Sequence, residues 1–176
     1  MAKKLAETES ELFQMAMEYL ARRDHAEKEL RQKLSTKLDK ENPDGSKWLD
    51  VVIQKLQALG YQSDERYIEM LVRARSERGY GPQFIRQYLQ QYQLDSLLIE
   101  EYLDPKDRIW NERAFAQLEK KFRQPTRDFK IRQKQQRHLY QRGFSGDNIR
   151  WAQARFDESG FLDETDPDDD NDSRFF

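Results

Sequence analysis

The chain has 176 residues, with 31 Lys and Arg against 33 Asp and Glu, 36% hydrophobic and 36% charged residues, 7 Gly, 5 Pro and no Cys. That composition favours long solvated helices over turn-rich sheets. The missing cysteines exclude disulfides, thiolate nucleophiles and cysteine-based zinc sites, a pattern that a reducing cytosol tolerates most easily. No run approaches the ~18 apolar residues of a membrane span, and the opening MAKKLAETESELFQ lacks an apolar signal core, so a soluble, cytoplasmic protein is expected.

In chain order, the first predicted helix carries Leu12, Met15, Ala16 and Tyr19 at i, i+3, i+4, i+7 spacing. A second is expected to start at Asp24, which stands at capping-box distance from Glu27, and to run through ELRQKL to Leu34. DKENPDGSK has the turn chemistry of a loop. Beyond it, Trp48 to Leu59 puts Val52, Leu56 and Leu59 on one helix face, with Gly60 closing the helix in a left-handed turn. Tyr67, Met70, Leu71 and Ala74 then repeat the first pattern. Pro82, after Gly81, stands first in a helix that runs through FIRQYL to Leu89, where its missing N–H forfeits no bond. Trp110 to Phe122 forms a further helix in looser register, and QQRHLY around Leu139 renews the second pattern. A glycine followed by an aromatic recurs as a helix stop at Gly79 and Tyr80, Gly143 and Phe144, and Gly160 and Phe161.

Superposing Leu34, Leu89 and Leu139 brings Arg31 onto Arg86, Leu94 onto Phe144 and Ile99 onto Ile149. The period is about 50 residues, with a longer loop in the first copy. A single helix of about 12 residues is marginal, and a lone three-helix unit buries little, so stacked copies must share their burial. The expected fold is all-α: three tandem three-helix repeats forming an elongated, curved body. The first repeat, with an N-terminal extension, occupies 1–62, the second 63–106 and the third 107–162, followed by a disordered acidic tail at 163–176.

Three stretches, YLARRDHAEKELRQKL (Tyr19 to Leu34), LGYQSDERYIEMLVRARSERGYGPQFIRQYL (Leu59 to Leu89) and LYQRGFSGDNI (Leu139 to Ile149), together resemble the RecX family, bacterial regulators of the RecA recombinase. The resemblance spans Leu12 to Gly160. The residues show no catalytic constellation, so no enzyme, cofactor or metal is expected, and a monomer is expected because a body that lies along a filament need not pair with itself. The resemblance implies an all-helical protein of tandem three-helix repeats. It would bind RecA filaments on single-stranded DNA, lodge in their helical groove, and lower ATP hydrolysis, strand exchange and co-protease activity.

The residues themselves point only to an extended, anionic partner. From Arg108 to Arg155 thirteen Lys and Arg face four acids, whereas nine acids from Asp157 onward face one Arg. Candidate contacts are Arg73, Arg75, Arg78 and Arg86 in RARSERGYGPQFIR, which could equally be a solvated face laced by Glu69 and Glu77, and Lys130, Arg132, Lys134, Arg137 and Arg142 in KIRQKQQRHLYQR. His25 and His138 lie in different repeats and are read as having a structural or solvent role, not as metal ligands. GYGP is a helix-to-helix turn and not a phosphate loop. An alternative reading is a helical module that occupies single-stranded nucleic acid itself, which would need exposed stacking aromatics such as Tyr80, Phe144 or Trp151. The tail DETDPDDDNDSRFF either solubilises the chain or competes with DNA for the basic face; its acids and terminal aromatics resemble the acidic tip of bacterial single-stranded-DNA-binding proteins.

Overall fold

Thr8 accepts a hydrogen bond from the Glu11 backbone N–H at 3.2 Å and so starts helix α1 (Glu9–Leu20) just ahead of its apolar stripe. The computed structural model describes residues 5–161, which form nine helices and their connecting turns; the acidic tail lies outside the described residues. Two compact units result, one from the chain up to Glu77 with Ile85–Asp104, the other from Arg78–Phe84 with the chain from Pro105 onward.

In the first unit α1, α2 (Glu27–Ser35) and α3 (Gly45–Ala58) pack pairwise around Leu12, Met15, Ala16, Leu30, Leu34, Val52, Ile53 and Leu56. Each fully buried aliphatic side chain contributes about 1.5–3 kcal/mol of transfer free energy, which is what makes these short helices viable. Leu59 departs from the expected apolar face: α3 ends at Ala58, and Leu59, its C-cap, is 56% exposed before Gly60 turns the chain at φ +72°. The expected start of α2 is also corrected. Its N-cap is Ala26, and the Glu27 N–H is satisfied at 2.8 Å by Asp64 at the head of α4 (Asp64–Glu77), while Asp24 pairs with Arg66 at 3.2 Å. A carboxylate distant in sequence has taken the capping role that Asp24 was expected to fill.

The second repeat continues with α5 (Pro82–Gln90) and α6 (Ser96–Tyr102), α6 being capped by Asp95 through the Leu97 N–H at 2.8 Å. Tyr67, Ile68, Leu71, Ile85, Leu89, Leu94, Ile99 and Leu103 are among its buried residues, and Tyr67 meets Tyr92 edge-on at 5.6 Å.

In the second unit α7 (Ile109–Phe122), α8 (Phe129–Gln141) and α9 (Gly146–Phe161) bury Trp110, Ala114, Leu118, Leu139, Phe144, Ile149, Ala152 and Phe156. Ser145 and Asn148 cap α9 reciprocally, each side chain accepting from the other's backbone N–H. α9 is described to Phe161, the aromatic of the expected stop, but Gly160 stays helical instead of turning left-handed, and a Cβ there would collide with the Pro125 ring. Gly160 serves close approach. Gly143, by contrast, is a true left-handed turn at φ +83°, and it is clasped by backbone: Gly81 N–H donates to Arg142 O at 2.7 Å and Gln83 N–H to Gly143 O at 3.1 Å.

Candidate functional site

Helix α8 begins because Asp128 accepts from the Lys130 and Ile131 backbone N–H groups at 2.7 and 3.2 Å. It then buries Gln135 and Leu139 and turns Lys130, Lys134, Arg137 and Tyr140 outward. Among the described residues no carboxylate pairs with Lys130, Lys134 or Arg137. Beside them runs an open groove of about 530 Å³, lined by Gln133, Gln136, Arg137 and Tyr140 of α8 and by Gly146, Ile149 and Arg150 of α9. Tyr140 is 71% exposed, and Arg150 stands at the groove in an exposed pair with Asp147. Solvated cations of this kind gain by releasing the counterions condensed on a polyanion, and an exposed ring beside them can stack on a planar group.

Four of the other six predicted contacts, Arg75, Arg86, Arg132 and Arg142, are engaged within the fold. Arg132 donates to both carboxylate oxygens of Asp157 at 2.8 and 2.7 Å, tying α8 to α9. Arg142 donates to the carbonyls of Arg78 and Gly79 at 3.0 and 3.3 Å with its guanidinium 5.3 Å from the Tyr80 ring. Arg86 reaches Glu100 at 3.4 Å, as its repeat equivalent Arg31 reaches Asp50 at 2.6 Å; in the third copy Gln136 donates to Gln153 at 3.0 Å. One position in each repeat thus joins the second helix to the third. Arg75 lies 4.5 Å from the Tyr88 ring. Arg78 is exposed, and Arg73 is 81% exposed with Glu77 at 3.2 Å, beside a groove of about 300 Å³ whose charges are mixed: Asp24, Arg66, Glu69 and Glu77.

Of the predicted residues, the structure therefore brings Lys130, Lys134 and Arg137 together on one exposed helix face, and adds Arg150 and Tyr140, which sequence reasoning did not single out. The signal for Tyr140 was its spacing: three residues after Arg137 on one helix, it lies beside it on the same side. Of the aromatics named for nucleic-acid stacking, Phe144 is fully buried, Tyr80 is half-buried and stacked on Phe84 at 4.2 Å, and Trp151 is 37% exposed.

Both histidines are structural in their surroundings. His25 is 3% exposed, and burial holds its pKa below the ordinary imidazole range against the pull of Glu29, whose Oε2 lies 3.0 Å from Nδ1 without the alignment of a hydrogen bond. Glu29 itself is held below the carboxylate range: burial would raise it, but its contacts with Arg23 and His25 outweigh that. His138 is pushed down to about 4 by burial, then by Lys121 and Arg142; the Lys121 ammonium lies 3.0 Å from its Nδ1, suited to a neutral ring that accepts. No group of three or more His, Asp or Glu among the described residues is arranged to hold a metal ion, and no described helix is long and apolar enough to cross a membrane.

Models of the first, second and third three-helix domains of RecX match residues 13–39, 63–103 and 111–152. The regulatory protein RecX of Legionella pneumophila is 39% identical over 140 residues, covering 78% of this chain and 89% of that protein. Those of Stenotrophomonas maltophilia and Salmonella typhimurium are 35% and 33% identical over 145 and 153 residues, covering 82% of this chain in each case and 85% and 91% of theirs. The crystal structure of RecX from Lactobacillus salivarius shares the fold at a TM-score of 0.67 and 22% identity, covering 85% of this chain and 97% of that one.

Proposed function

The chain belongs to the RecX family of regulatory proteins, and from that premise we propose that it binds filaments of a RecA-type recombinase on single-stranded DNA and restrains their growth and ATP hydrolysis, with no catalysis of its own. The observation that carries the reading onto particular residues is the exposed row Lys130, Lys134 and Arg137 on α8, beside Arg150 and an open groove, in a domain matched to the third RecX unit. A filament offers such a row two anionic targets, DNA phosphates and acidic protein surface. Arg73 and Arg78, exposed on residues of the second matched domain, are supporting contacts in this reading; Arg75, Arg86, Arg132 and Arg142 act through the fold.

The test is ATP hydrolysis by the cognate recombinase on a fixed amount of single-stranded DNA, titrated with this protein. Inhibition well below one protein per recombinase subunit is expected, and the Lys134→Glu, Arg137→Glu variant should weaken it at least about tenfold, about 1.4 kcal/mol, with helicity unchanged. Full inhibition by that variant would remove α8 from the interface. Direct occupation of DNA is the second reading, favoured by the 71% exposure of both Tyr140 and Phe129. It requires inhibition only when the protein is abundant enough to cover the strand, relieved by added DNA.

A further inference from the structure

The groove between α8 and α9 has a composition that nucleic acid does not fully use. Its walls carry Arg137 and Arg150, with Lys134 and Lys130 further along α8, but its lining includes the Tyr140 ring, 71% exposed, and the nearly buried Ile149. A ligand fitted to it presents negative charge together with an aromatic side chain. The chain itself supplies such a ligand. Directly after α9, residues 162–176 carry seven acids between Asp163 and Asp172, followed by Phe175 and Phe176.

Reach and charge both permit the contact. Arg150 precedes the end of α9 at Phe161 by eleven residues, about 16 Å along a helix. Fifteen residues of random coil have a root-mean-square span of about 20 Å, so the length of chain between α9 and the phenylalanines suffices to reach the groove. Tethering makes the encounter intramolecular, at an effective concentration of order mM, so a contact too weak to hold a free peptide can hold this one. The acid already at the groove is Asp147, and its pair with Arg150 is 76% and 85% exposed, the kind of pair that another carboxylate displaces at little cost.

We propose that Asp163–Phe176 docks in this groove of its own chain, its phenylalanines against the exposed Tyr140 ring and its acids against Arg137, Arg150 and Lys134, so that an anionic partner must displace it. The docking is independent of the recombinase reading; its consequence, that the tail regulates access to the site, rests on that reading.

Because the chain has no cysteine, Asn171→Cys in the full-length protein takes a single nitroxide label, and its effect on backbone amide resonances maps where the tail lies. At low salt the amides of Arg137, Tyr140, Ile149 and Arg150 should lose most of their intensity while those of α1 keep theirs. The loss should be reversed at about 1 M salt, where the Debye length is about 3 Å, and in the variants Asp168→Asn, Asp169→Asn, Asp170→Asn and Phe175→Ala, Phe176→Ala. Uniform broadening, broadening at Arg66 and Arg73 instead, or broadening indifferent to both variants would overturn the docking. Added oligothymidylate should restore the groove signals as it binds; binding that leaves them broadened would overturn the competition. An unbroadened groove with recombinase inhibition intact refutes the docking alone, and a broadened groove in a protein without effect on the recombinase refutes the proposed function alone.

Discussion

His25 and His138 show how a residue can be invisible to function and still set a condition on it. Both are held below the ordinary imidazole pKa by burial, so the unfolded chain binds their protons first as the pH falls. Stability is therefore highest above about pH 6.5 and is lost as acid protonates the unfolded state preferentially. Glu29, held below its ordinary value, adds to the loss in the same direction at lower pH. The melting temperature should fall on acidification from pH 7 to pH 5 by about 2–4 °C for each kcal/mol lost, and His138→Gln, which removes the group next to Lys121, should flatten part of that fall. A melting temperature that holds or rises over this range would contradict both assignments. Neither histidine's burial was legible from its neighbours in sequence, because its surroundings come from other helices: Lys121 on α7 for His138, and for His25 the Tyr19 ring on α1 at 6.1 Å.

The turn between α8 and α9 is where local sequence and tertiary structure meet most tightly. Gly143 is required twice, by φ +83° and because a Cβ would strike the Phe84 backbone and side chain; Gly81 faces the Gly143 carbonyl at a distance that also excludes a Cβ. Gly143→Ala should destabilise the second unit by at least about 2 kcal/mol, the strain at positive φ adding to a clash that backbone cannot relieve. Denaturation midpoints check this, with Gly146→Ala as the contrast, since its Cβ would meet only the Arg150 side chain at 3.5 Å. The sequence announced this element well, because Gly followed by an aromatic is a local signal, as is the apolar stripe that buries Leu12, Leu34, Leu89 and Leu139. It misled where the deciding partner is remote. Asp64 satisfies the α2 N-terminus from 37 residues away, Pro125 explains Gly160 in the last turn of α9, and Asp157 claims Arg132, which in sequence looks no different from Lys134. Basic residues in a row are readable as a charge; which of them are committed to internal partners is decided by packing.

At the scale of the whole chain a net charge of −2 hides a basic third repeat and an acidic tail, and salt dependence is the observable that reveals which anion the basic part meets. Each phosphate neutralised on a single strand releases condensed counterions and contributes about 0.7 to the slope of log K against log salt. Carboxylates on a protein surface carry no such condensed layer, so their contacts weaken with salt only through screening. Replacing Lys134 and Arg137 with Gln therefore distinguishes the two anionic targets of the proposed function. If both residues sit on phosphates, the slope for binding the recombinase filament should fall by about 1.4, and binding to bare oligothymidylate should show the same fall. If they meet recombinase carboxylates, affinity for the filament should drop with the slope nearly unchanged, and bare DNA should not register the substitution. Equal affinity and slope for wild type and variant on the filament would mean that the α8 face stays in solvent when the complex forms.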